Sequence, residues 1–277
     1  MRRCGLVMLA LLAGCDVEQS GEPVLRTEIG EAVAEPPKQS TNERSACRSV
    51  TFENVPLTHC IADPAEHHIT MELGAGTGGR EDTPYRNLAI LAQSRGPDAP
   101  GVAFAVNGGM YDGEGRPIGY YVEGGNRTKE LSLSDGPGNF HMKPNGVFFG
   151  ADGKWQIMAS DEFYRTVGDR PDFGTQSGPM LVVDGALHPR IANDGPSKAI
   201  RNGVGIDKKG HAHFVISDNV MSFGQLARFF RDELKVPNAL FLDGNVSSLW
   251  DPANDRLDRG APIGPMIVVE KARRAER

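Results

Sequence analysis

The stretch Asn238 to Ser248, NALFLDGNVSS, sets a single carboxylate where an apolar run stops. Ala239 to Leu242 carry no polar alternation and read as a strand buried on both faces, which puts Asp243 at the strand's end. A carboxylate held there can act as a general base or as a nucleophile. Gly244 lets the backbone turn sharply or approach a ligand closely, and Asn245, Ser247 and Ser248 offer uncharged donors and acceptors around the charge. The same letters also spell an ordinary Asp-Gly turn.

Other strand ends repeat the pattern. The run Val102 to Val106 stops at Asn107-Gly108-Gly109-Met110-Tyr111-Asp112, where backbone N–H groups freed at the glycines can bind an anion beside the Asn107 amide; a tight turn is the alternative. Lys143-Pro144-Asn145-Gly146 offers a fixed positive charge ahead of Val147-Phe148-Phe149, which pairs with Trp155 to Met158 as a hairpin. Ser177-Gly178-Pro179 opens a strand from Met180 to Val183. Without a G-x-S-x-G elbow or a histidine in a comparable motif, Ser177 suits hydrogen bonding better than nucleophilic attack. Arg201-Asn202-Gly203 precedes Val204 to Ile206, and a planar guanidinium there can hold phosphate or carboxylate through two hydrogen bonds, or make a surface ion pair.

Two further patterns are set aside. His211 and His213 alternate onto one face, a spacing that binds metal, but no carboxylate pattern accompanies them and no metal site is assigned. Gly74 to Gly79 match G-x-G-x-x-G, yet Arg80-Glu81-Asp82 separate them from a helix expected to start with Thr83 as its cap and run to about Ser94. The next strand also lacks an acidic ribose partner, so a loop is expected and no nucleotide or other cofactor.

These residues need a framework to hold them. The 277-residue chain, 39% hydrophobic, can bury a sizeable core, and its 34 glycines and 19 prolines favour turns and strands over a helical bundle. A net charge of -6, with no long basic run, argues against a nucleic-acid partner, which would require a basic face. Residues 1–14 read as an export signal, and Leu12-Ala13-Gly14-Cys15 resembles the lipobox of bacterial lipoproteins. Cys15 would then be the lipidated N-terminus, anchoring the chain to a membrane without crossing it, in the bacterial cell envelope facing the periplasm or the exterior. Residues 15–45 have the composition of a flexible tether, and 46–277 form the domain. Cys47 and Cys60 remain as a disulfide pair in an oxidising compartment; a metal would need more ligands than His59 adds. Ser222 caps a helix to about Leu234, with Phe223, Leu226, Phe229, Phe230 and Leu234 on its core face. The expected fold is one α+β domain, a twisted, mixed, largely antiparallel sheet with flanking helices.

Five motifs in order, NGGM at Asn107, KPNGVFF at Lys143, QSGPM at Gln176, RNGVG at Arg201 and LDGNVSSL at Leu242, resemble the phosphodiester glycosidase superfamily, particularly its exported bacterial members. The resemblance covers about Ile69 to Val269. It implies hydrolysis of the link between a sugar's anomeric carbon and a phosphodiester, with no cofactor. Asp243 would then act as base or nucleophile. Arg201 and Lys143 would hold the phosphate, and the Asn107-Gly108-Gly109 elbow would stabilise developing charge. Asn145, Ser177, Asn202, Gly244, Asn245 and Ser247 would line the sugar. The competing readings are a lipid-anchored glycan-binding protein without catalysis and a serine hydrolase using Ser177.

Overall fold

The run that ends at Asp243 is a central strand. In the computed structural model, which describes residues 44–75, 83–167 and 171–272, Asn238–Phe241 lies between Asn202–Ile206 and Met180–Val183. The seven-stranded sheet runs in the order Cys47–Phe52, Val55–Ala62, Ala212–Ser217, Asn202–Ile206, Asn238–Phe241, Met180–Val183, Ala186–Leu187. Side chains alternate across it, as the twofold period of a strand requires. Ala239 and Phe241 pack with Leu226, Phe229 and Phe230 on one face, while Leu240 and Leu242 join a core with Phe104, Phe148 and Ile267 on the other. Both faces are covered, which is why the run is continuously apolar although its neighbours are antiparallel.

Two five-stranded sheets complete the framework. One orders Arg256–Leu257, Leu249–Asp251, Val102–Asn107, Met266–Lys271 and His67–Glu72; the other orders Lys154–Ala159, Gly146–Ala151, Phe173–Ser177, Tyr121–Glu123 and Asn126–Lys129. Phe214 of the seven-stranded sheet meets a phenylalanine from each of the other two edge to face, 5.4 Å from Phe104 and 5.9 Å from Phe148. All three are buried, each contributing roughly 1.5–3 kcal/mol of burial free energy. Their contact fixes how the sheets abut, and so where the strand ends meet.

The α+β expectation is corrected toward β. Every pairing among the described strands is antiparallel, and the helices are short: Leu88–Ser94, Ser160–Thr166 and Phe223–Arg228, the last continuing into a wider turn over Phe229–Glu233. The first of these starts later than expected. Thr83–Pro84 pairs with Gly74–Ala75 as a short ladder, Arg86 adopts φ 64°, and Asn87 becomes the cap by accepting from Ile90 N at 2.8 Å. Ser222 caps the third helix in a reciprocal box with Gln225. Cys47 and Cys60 face each other across the first hairpin and form a disulfide. The export signal, Cys15, most of the tether and glycines 76, 78 and 79 lie outside the described residues.

Candidate active site

Asp243 is half-buried just past the Asn238–Phe241 strand, and a network of amides holds its backbone. Asn107, at the end of Val102–Asn107, donates from Nδ2 to Asp243 O at 2.8 Å. Its Oδ1 accepts from Asn202 Nδ2 at 2.8 Å and from Ser248 N at 2.9 Å. Asp243 N donates to Gly108 O at 3.3 Å, and Leu242 N to Asn202 O at 3.2 Å. One buried side chain therefore ties two sheets together at the carboxylate, since Asn107 belongs to one and Asn202 to the other, with Asp243 just past a strand of the second.

Arg201 immediately precedes the Asn202–Ile206 strand, beside this elbow. It is 3% exposed, its guanidinium stacks 3.7 Å over the Phe223 ring, and a Cβ on Gly244 would touch both the Phe241 ring and Arg201 Cα. Nε donates to Met221 O at 2.9 Å and Nη2 to Ser197 O and Oγ, both at 3.0 Å. Among the described residues it has no carboxylate partner, and burial alone pulls its pKa down to about 10. The charge persists at neutral pH, and Nη1 meets no acceptor among the described residues.

Two residues that the sequence did not single out are Tyr111, close enough to Asp243 to feel its charge, and Arg86 beside that ring. Tyr111 donates from its hydroxyl to Pro262 O at 2.6 Å, and burial, reinforced by the nearby Asp243 charge, pushes its pKa up to about 12. Arg86 lies 5.6 Å over the Tyr111 ring, and its buried Nη1 has no partner among the described residues. Gly264 leaves room for the ring, which any Cβ there would strike. Tyr111 was visible as part of the Asn107 motif, but nothing in sequence linked Arg86 to it.

The remaining assignments divide. Ser247 is partly exposed at the elbow, its Oγ within 3.3 Å of Gly244 O and 3.4 Å of Ile200 O; the side chain of Asn245 lies outside the described part. The Asn107 elbow does not offer free N–H groups to an anion as expected. Gly108 N donates to Pro265 O at 2.6 Å and Gly109 N to Thr175 Oγ1 at 3.2 Å, and a Cβ on Gly109 would collide with Gln176 O. The two glycines serve close packing, and Asn107 and Asn202 position the elbow from inside. Lys143 is tied to Leu133 O at 2.7 Å and Asp135 at 3.0 Å. Asn145 donates to Phe140 O at 2.7 Å within the interior. Ser177 is wholly buried and its Oγ has no partner among the described residues, so no base is in reach to activate it as a serine nucleophile.

Comparison with known proteins places this arrangement. Over 86% of the chain the fold matches 87% of the catalytic domain of zebrafish N-acetylglucosamine-1-phosphodiester alpha-N-acetylglucosaminidase, auto-inhibited by its pro-peptide, with TM-score 0.56 and 16% identity. A hypothetical protein from Synechocystis matches over 82% of this chain and 61% of its own, with TM-score 0.49 and 15% identity. The uncharacterized protein YigE of Escherichia coli (strain K12) is 38% identical over 170 residues, 61% of this chain and 66%, just under two thirds, of its own length. Residues 100–270, the span from the Val102–Asn107 strand to the last strand, match the phosphodiester glycosidase profile, and the chain belongs to that family.

Proposed function

We propose that this protein is a hydrolase that cleaves the bond between a sugar's anomeric carbon and a phosphodiester, releasing the sugar and leaving a phosphomonoester. The observation that carries this reading is Arg201, a buried guanidinium with no carboxylate partner among the described residues, one strand from a half-exposed Asp243. A buried charge of this kind suits a site whose ligand supplies the opposite charge, as a phosphodiester does. Asp243 either activates water or attacks the anomeric carbon itself. The C–O bond breaks and its electron pair leaves on the phosphate oxygen, a far better leaving group than an alkoxide, so little is asked of a general acid. Ser247 hydrogen-bonds a sugar hydroxyl, and Asn107 sets the elbow. The substrate belongs to an envelope or extracellular glycan, and the chain reaches it from a lipid anchor on Cys15.

With a sugar-1-phosphodiester, the wild-type protein should release free sugar. Asp243→Asn should release none while keeping its melting temperature. Near-normal turnover by that variant would refute the role given to Asp243, whereas glycan binding without sugar release by the wild type would make the chain a binding protein. Cys15→Ser should move the chain from the membrane to the soluble fraction; no change in fractionation would refute the anchor.

A further inference from the structure

At the far end of the strand that begins with Asn202, the turn following Ile206 gathers ligands of another kind. Asp207 Oδ1 accepts from Lys209 N at 2.8 Å and from His211 N at 2.9 Å, which fixes the carboxylate within the turn. Oδ2 is thereby aimed at two imidazoles, His211 Nδ1 at 3.1 Å and His213 Nε2 at 3.3 Å. One ligand atom from each residue lies within 4.8 Å of the others. In a tetrahedral site with metal–ligand bonds of about 2.0–2.1 Å, ligand atoms sit roughly 3.3 Å apart, as the two shorter separations do.

The outer partners point the same way. A histidine bound to metal through one ring nitrogen donates from the other to a carboxylate or a further acceptor. His211 Nε2 faces Asp63 Oδ2 at 3.6 Å, and His213 Nδ1 faces His59 Nε2 at 2.9 Å. A neutral His211 has one N–H for two carboxylates, one at each ring nitrogen. A cation resolves that conflict: either a second proton, or a metal on Nδ1 with the remaining N–H turned to Asp63. Asp207 stands only four residues before His211 in the sequence, but the fold alone shows that the turn brings its carboxylate onto both imidazoles and that Asp63 reaches His211 from the end of the neighbouring strand.

We propose that Asp207, His211 and His213 bind a divalent first-row transition metal, zinc above all, with Asp63 and His59 orienting the imidazoles. The Asn202–Ile206 strand separates this site from Asp243 by roughly 16 Å, five residues at about 3.3 Å each. It is therefore separate from the glycosidase site. Through Asp63 it ties the 207–211 turn to the end of the Val55–Ala62 strand. Imidazole and carboxylate donors suit zinc and its neighbours better than calcium or magnesium.

The test is titration of the full chain, free of any histidine tag and stripped with chelator, with Zn²⁺ by calorimetry and with Co²⁺ by visible absorption. One saturable Zn²⁺ per chain is expected. His211→Ala and His213→Ala should each weaken it by about 100-fold or more, and Asp63→Asn by about 10- to 100-fold, with His211 partly exposed and its variant retaining the fold. Absence of saturable binding, or His211→Ala binding within about threefold of wild type, overturns the proposal. An imidazolium at His211 in chelator-treated protein that persists on adding Zn²⁺ would show that a proton occupies this place instead. Should His213→Ala fail to fold, the His211→Ala comparison decides.

Discussion

Replacing Asn107 with alanine strips the elbow of all three hydrogen bonds made by that side chain. It strands one buried donor, Ser248 N, and the Asp243 carbonyl, and leaves a second buried donor, Asn202 Nδ2, only the 3.5 Å approach to Asn107 O. A stranded buried polar group costs about 1–3 kcal/mol. The two donors are deeply buried, whereas the carbonyl beside half-exposed Asp243 is open to rescue by water, so the total should be about 3–5 kcal/mol. For a domain of this size each kcal/mol is worth roughly 2–4 °C, which places the fall in melting temperature on the order of 10 °C. Urea unfolding followed by circular dichroism measures the loss, and a double-mutant cycle with Asn202→Ala tests its cause. Asn202→Ala removes one of these donors, so the pair should be less than additive by about 1–2 kcal/mol. A cost under about 1 kcal/mol for Asn107→Ala, or strict additivity with Asn202→Ala, would refute the clamp.

Arg201→Met should leave stability within about 2 kcal/mol of wild type, because an unpaired buried charge is removed along with its three hydrogen bonds. Turnover of a sugar-1-phosphodiester should nevertheless fall about 100- to 1,000-fold, and retention within threefold would remove Arg201 from the site. Reducing the Cys47–Cys60 bond, which spans a sequence separation of 13, should lower stability by about 2–4 kcal/mol, read as a shift in urea midpoint with and without reductant. Burial first, then the neighbouring Glu270, raises the Glu72 pKa against the opposing effect of Arg95. Over the window between its unfolded and folded pKa values the folded state holds the proton more tightly, so stability falls as pH rises through the folded value. Glu72→Gln should therefore unfold at higher urea than wild type at neutral pH, and the advantage should vanish below the ordinary carboxylate range; an equal gain at both pH values would exclude the charge as its source.

Continuous apolar runs and alternating hairpins could be read from the chain because they report burial face by face. Ala239 to Leu242, the pair built on Val147-Phe148-Phe149 and Trp155 to Met158, and the Ser222 cap all have local signatures. The helix Ser160–Thr166 has almost none, since only Ser160 and Phe163 are buried and the rest is polar or exposed. The site was legible as a set of strand ends but not as an assembly. Nothing local shows that Asn107 meets Asn202 and Ser248, that the glycine N–H groups are already bonded, or that Arg86 comes to rest over Tyr111. Those facts depend on how three sheets abut, which is settled by Phe104, Phe148 and Phe214, residues far apart in the sequence.

The unpaired guanidinium of Arg201 also bears on the end of the catalytic cycle. On the proposed chemistry the substrate brings about one negative charge to that cation, whereas the departing phosphomonoester carries between one and two at neutral pH. The same cation that draws the diester in should therefore grip the product harder. Product escape would govern the steady-state rate, and inorganic phosphate would act as a competitive brake whose strength follows the second ionisation of phosphate.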